Sequence, residues 1–106
     1  MSDFIQVTTT APSKEEAGRI ATILVERRLA ACVQIAGPIE SHYRWKGALE
    51  QSTEWLCLVK TRRANYAAVE AAIRETHSYE VPEIVACPIE AGSESYLAWL
   101  RAETAG

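Results

Sequence analysis

The 106-residue chain lacks the short motifs that would commit it to several common activities. There is no CxxC, HxH or HExxH, so no local zinc or copper motif is present. There is no GxSxG nucleophile elbow, and neither GxGxxG nor GxxxxGK to cradle a nucleotide phosphate, so the expectation is that the chain is not an enzyme of these kinds. Positive charge is in deficit: 11 Lys and Arg face 14 Asp and Glu, a formal net charge of −3. That balance argues against a basic field for nucleic acid and against electrostatic attraction to an anionic membrane. No apolar run approaches the roughly 20 residues that span a bilayer. "MSDFIQVTTT" lacks the basic and long apolar regions of a signal peptide, so the expected location is cytoplasmic. Cysteine is scarce: Cys32, Cys57 and Cys87 are far apart in apolar runs. They read as reduced, buried thiols, with a soft metal ligand as the alternative role for one of them.

Internal repeats, low-complexity tracts and linkers are also missing, and the length suits a single domain over residues 1–106. "DFIQVTTT" alternates apolar and polar residues and is rich in β-branched ones, which predicts a strand. Ser13 and Glu16 have the spacing of a capping box before a helix that runs to about Arg28, where Arg27 and Arg28 suit a solvated helix end. "AACVQIAGPIESHYRWKG" predicts a long strand broken at Gly37-Pro38, at a sheet edge or a bulge. After a polar turn, "KGALEQS", the strand "TEWLCLVKT" completes a hairpin. Tyr66, Val69, Ala72 and Ile73 recur at helical spacing between Arg63 and Thr76. "VPEIVACPIE" predicts a strand, and Ser93 caps a last helix carrying Tyr96, Leu97, Trp99 and Leu100. The order is βαββαβ plus a C-terminal helix, an α+β fold of the ferredoxin-like, split βαβ kind. "WLCLV" does not alternate: Trp55, Cys57 and Val59 point one way, Leu56 and Leu58 the other. Both faces therefore need cover, and one chain has too few helices for that. A second copy of the chain is expected on the open face.

"LAACVQI" (Leu29 to Ile35), "YRWKG" (Tyr43 to Gly47), "LVKT" (Leu58 to Thr61), "HSYEVPEI" (His77 to Ile84) and "GSESYLAWL" (Gly92 to Leu100) are each weak alone. Together, in order and over nearly the whole chain, they resemble the CutA family, the divalent-cation tolerance proteins. The resemblance implies a ferredoxin-like fold, a tightly packed homotrimer and an architecture similar to PII signalling proteins. It also implies a link to copper and other divalent metals, and no agreed enzymatic activity. Ser78 stands where the family commonly has proline, and His42 where an apolar residue is usual.

The candidate metal ligands are His77 and Cys32, for copper or another divalent metal. A neutral imidazole suits such ions, and Glu80 and Glu83 offer oxygens nearby. One histidine with carboxylates falls short of the usual ligand number, so neighbouring chains are expected to complete the site, with His42 as a further donor. The competing reading of His77 is that it caps the last carbonyls of its helix. Trp45, Trp55 and Trp99 read as packing anchors in core and interface. The alternative is a ligand cleft at the subunit boundary lined by Tyr43, Trp45, Lys60, Tyr79, Glu83 and Trp99. Lys60 there would bind an anion; otherwise it snorkels to solvent or pairs with Glu83. The two functional readings are a homotrimeric divalent-metal binding protein and a PII-like signalling or scaffold trimer for a small anionic metabolite or protein partner.

Overall fold

The structure, a computed structural model, describes residues 3–105. The outermost limits of the expected domain, residues 1, 2 and 106, lie outside that range. Strand β1 (Phe4–Ala11) leads to helix α1 (Lys14–Glu26), the hairpin of β2 (Cys32–Trp45) and β3 (Ala48–Arg62), and a 3-10 turn at Arg63–Asn65. Helix α2 (Tyr66–Thr76), strand β4 (Val85–Pro88) and helix α3 (Glu94–Glu103) follow. The strands form one antiparallel sheet in the order β2-β3-β1-β4. This is the ferredoxin-like α+β arrangement, with the expected extra helix.

Helices α1 and α2 lie on one face of the sheet. Ile5 and Val7 of β1, Cys57 and Val59 of β3, Ile20 and Leu24 of α1, and Val69 and Ile73 of α2 form the core. Burial there pushes the Cys57 thiol up to about 11. Ser13 caps α1 as its sequence predicts, its hydroxyl accepting the Glu16 N–H at 3.1 Å. The reciprocal half of the capping box does not form. Glu16 turns away, and its Oε2 accepts the Ser78 N–H at 3.0 Å and the Ser78 hydroxyl at 3.1 Å. A proline at position 78 would offer neither donor. The end of α1 is also more than a solvated basic pair. The chain reverses at Arg28 (φ 59°), whose Nη2 donates to the Ala102 carbonyl at 2.8 Å and so ties α1 to α3.

The hairpin is longer than "TEWLCLVKT" suggested. Its turn is Lys46-Gly47 alone, both with positive φ (49° and 83°), the geometry of a two-residue connection that keeps the strands in register. Ala48 to Ser52 therefore pair with Trp45 to Ser41 and belong to β3. Glu50, Gln51 and Ser52 are polar because this part of the hairpin projects into solvent, where even Leu49 is 78% exposed, not because they turn. The register shifts between Ala36 and Ile39, and β2 is the edge strand, so both readings of Gly37-Pro38 hold. A Cβ at Gly37 would sit 2.6 Å from the Trp55 ring, so glycine lets that indole lie against the bulge. At about 3.3 Å per residue the hairpin strands approach the molecule's 45 Å long axis.

Strand β4 is shorter than predicted. Only Val85–Pro88 pair with β1, opposite Thr8 to Ile5, while Val81 to Ile84 stay outside the ladder. Two causes are visible. Pro82 has no N–H to donate, and the Thr10 carbonyl of β1 already accepts from His77 Nε2 at 2.5 Å.

The second face of the sheet carries Phe4, Thr8, Leu56, Leu58 and Lys60, with Cys32 and Cys87 on the outer strands. Helix α3 covers one end of it. Arg62 Nε donates to Thr104 Oγ1 at 3.1 Å, and the Arg101 guanidinium lies 5.0 Å from the Phe4 ring centroid. The middle of this face stays open within the chain. The expectation of three buried cysteines is corrected accordingly: Cys57 is buried, Cys32 is half-buried and Cys87 is exposed. Cys87 sits on a short edge strand, on the second face.

Candidate functional site

At the end of the second face opposite α3, the hairpin and the segment after α2 enclose a cavity of about 630 Å³. Strand alternation brings Ser41, Tyr43 and Trp45 from β2 to the same side as Glu54 of β3 and Thr10 of β1. Ser78, Tyr79, Glu80, Val81 and Glu83 form the facing wall, and His42 of β2 also lines the cavity. That wall stands where a longer β4 would have lain, so the late start of β4 is what opens the cavity.

His77 fixes the wall in place. It is the C-cap of α2, and its side chain is fully buried. Nε2 donates to the Thr10 carbonyl, so Nδ1 is the acceptor that receives the Tyr79 N–H at 3.1 Å. Glu16 Oε2 lies 3.3 Å from Nδ1 and holds Ser78 beside it. The Tyr79 ring packs 4.7 Å from the imidazole, and its hydroxyl donates to Glu54 Oε2 at 2.8 Å. Burial first, then the Glu54 hydrogen bond and charge, raise the Tyr79 hydroxyl well above the usual tyrosine range. It stays a donor at all ordinary pH.

Four of the six residues expected to line a cleft meet here: Tyr43, Trp45, Tyr79 and Glu83. The other two do not. Lys60 lies on the open middle of the sheet, and its Nζ donates to Gln34 Oε1 at 2.5 Å rather than pairing with Glu83. Trp99 sits on α3, half-exposed, with its ring 5.5 Å from that of Tyr96. Nor does the fold bring His77 and Cys32 together. Cys32 pairs across the sheet with Lys60 and so lies level with Gln6, four residues along β1 from Thr10, roughly 13 Å away. His42 is exposed and bound to Glu40 at 2.7 Å. Among the described residues no three His, Cys, Asp or Glu side chains gather into a cation site. With both nitrogens of His77 engaged, the donors of one chain do not fit a bound divalent metal.

Sequence reasoning passed over Glu54 and Glu16, the two buried carboxylates on which this region turns. A signal existed for Glu54, a lone acid entering the apolar run "WLCLV". For Glu16, the capping-box pattern explained the residue well enough to hide its long-range role.

The fold and the cavity together define a small ferredoxin-like α+β protein with an aromatic and acidic pocket at the end of a long hairpin. The profile of the CutA1 divalent ion tolerance protein family matches residues 5–103, and the chain belongs to that family. It is 47% identical over 100 residues to the divalent-cation tolerance protein CutA of Archaeoglobus fulgidus, covering 94% of this chain and 95% of that one. It is 42% identical over 95 residues to human protein CutA, covering 90% of this chain and 53% of the human one. Among solved structures, CutA1 from the psychrotrophic bacterium Shewanella sp. SIB1 superposes with a TM-score of 0.96 at 40% identity, over 99% of this chain and 98% of that one. The Archaeoglobus fulgidus structure, described as a periplasmic divalent cation tolerance protein, superposes with a TM-score of 0.92 at 44% identity over 94% and 97%.

Proposed function

We propose that this protein is a cytoplasmic, single-domain homotrimer without enzymatic activity that binds divalent metal, copper foremost, in clefts between its subunits. The observation that carries the assembly is the uncovered second face of the sheet. Leu56 and Leu58 are only partly buried there, and Val85 on the same face is 50% exposed. Apolar side chains left in water along a sheet lose stabilisation that a packed partner restores, at about 25 cal/mol per Å². The 630 Å³ cavity opens beside this face, so a second copy docked there forms one wall of the cleft. Membership of the CutA1 divalent ion tolerance family supports the metal. Because the described residues of one chain supply too few convergent donors, the ligands come from more than one subunit. Glu54, Glu80 and Glu83 around the cavity count against the rival reading of a small anionic metabolite.

Two measurements test the proposal. Sedimentation should show one species of three times the chain mass down to low concentration; a stable folded monomer sinks the assembly. Titration with Cu(II) should saturate in the wild type and weaken in both His77→Ala and Cys32→Ser, with sedimentation confirming intact assembly. Metal has to displace the Tyr79 N–H from Nδ1 to use His77. Equal affinity in His77→Ala and wild type moves the metal away from that residue, and His42→Ala becomes the next variant to titrate.

A further inference from the structure

The cavity is lined by a largely buried carboxylate for which no described residue supplies a counter-charge. Glu54 is 6% exposed. Its Oε2 accepts the Tyr79 hydroxyl, and among the described residues its Oε1 has no hydrogen-bond partner. No Lys, Arg or His nitrogen of a described residue approaches the carboxylate within 4.0 Å. Among the described residues no Lys or Arg lines the cavity, and His42, which does, is bound to Glu40 at 2.7 Å. A carboxylate largely withdrawn from water, with only a neutral hydroxyl beside it, is a favourable place for a cation. Glu80 and Glu83 add two exposed acids at the rim, and neither forms an ion pair within the described chain.

The walls narrow the choice of cation. Tyr43 and Trp45 line the cavity, and aromatic rings attract organic ammonium groups and bury methylene chains. The carboxylates do not gather into a three-donor cluster for a bare metal ion. The volume, about 630 Å³, is that of a small-molecule site. We propose that the cavity binds an aliphatic diamine or polyamine, with one ammonium on Glu54, the methylene chain along Tyr43 and Trp45, and a second ammonium at Glu80 and Glu83. This deepens the cleft reading and rests on the cavity staying open in the assembled protein, not on the metal.

Calorimetric titration of the full-length protein with 1,4-diaminobutane tests it, with the uncharged bis-acetamide of the same diamine and magnesium chloride as comparisons. The diamine should saturate, the bis-acetamide should give no binding, and magnesium chloride of equal charge should not displace the diamine. Glu54→Gln preserves size and the Tyr79 hydrogen bond while removing the charge. It should weaken the diamine at least about tenfold, with unchanged sedimentation. Glu83→Gln should weaken the diamine and leave 1-aminobutane unaffected, a difference that stays readable if Glu54→Gln fails to fold. The proposal is overturned by any of four results: no diamine binding up to about 10 mM, equal affinity in wild type and Glu54→Gln, displacement by magnesium alone, or equal binding of the bis-acetamide. A wild-type monomer, or one indifferent to copper, would sink the trimeric metal reading and leave the amine titration interpretable.

Discussion

The two faces of the sheet are built from the same strands and have different fates. On the helix side Val7, Cys57 and Val59 are 0% exposed. One residue along β3, on the other side, Leu56 and Leu58 remain partly open, and only the α3 end of that face is sealed. A strand alternates its side chains, so "WLCLV" delivers apolar groups to both sides equally. Helices α1 and α2 return to one side only. Burial on the first face is therefore settled within the chain, whereas burial on the second depends on something outside it. The cavity lies where that second face meets the hairpin, which places recognition on the less settled side.

The sharpest way to break this contrast is to damage each face and ask whether protein concentration matters. Ile73→Ala empties a fully buried site on the helix side and should lower unfolding free energy by about 4 kcal/mol. Its denaturant midpoint should fall by the same amount at every protein concentration. Next in size is an alkaline effect centred on Cys57. Below pH 9 both folded and unfolded chains carry the neutral thiol, and the contribution is fully present. From the ordinary 9.0 up to about 11 the unfolded chain ionises while the buried thiol does not, so stability falls as pH rises. At about 1.4 kcal/mol per unit the loss approaches 3 kcal/mol by pH 11. Tyr79, also raised, extends the loss in the same direction. Melting curves of Cys57→Ala between pH 9 and 11 should be flatter than wild type; parallel curves would show that this thiol ionises freely in the fold.

On the second face, Leu58→Ala should cost about 2 kcal/mol, and it should appear in association. Sedimentation should shift toward smaller species as the protein is diluted, with the chain itself still folded by circular dichroism. A loss independent of concentration would place Leu58 in the same class as Ile73 and abolish the distinction between the faces. The smallest effect belongs to the cap of α1. Ser13→Ala removes the acceptor for the Glu16 N–H and should lower stability by about 1 kcal/mol. Glu16→Gln, by contrast, tests the bond to Ser78 and should disturb the cavity wall more than the helix, read from the backbone signals of Ser78 to Glu83.

How much could be read in advance differs along the chain. The strand order, the two core helices, the Ser13 and Ser93 caps and the break at Gly37-Pro38 all follow from local patterns: periodicity, side chains that reach three residues, a proline without an N–H. So does the apolar second face. The short β4 was not legible, because Val81 to Ile84 are as β-prone as their neighbours and are kept out of the ladder by His77 on the Thr10 carbonyl, 67 residues away in sequence. Of the expected cleft, Tyr43, Trp45, Tyr79 and Glu83 meet, while Lys60 and Trp99 point to other parts of the molecule.

Local physics thus settled which segments are strands and helices and which side chains seek burial, since those preferences act over a few residues. Only the tertiary structure decided that His77 spends both nitrogens on backbone, that Glu16 serves Ser78 instead of completing its capping box, and that the Glu54 carboxylate ends buried beside a cavity. The deciding contacts are distant in sequence: 67 residues from His77 to Thr10, 62 from Glu16 to Ser78, and 25 from the Tyr79 hydroxyl to Glu54. Sequence spacing carries no information about which distant donor reaches a given acceptor first; the packing of α1 and α2 on the sheet does.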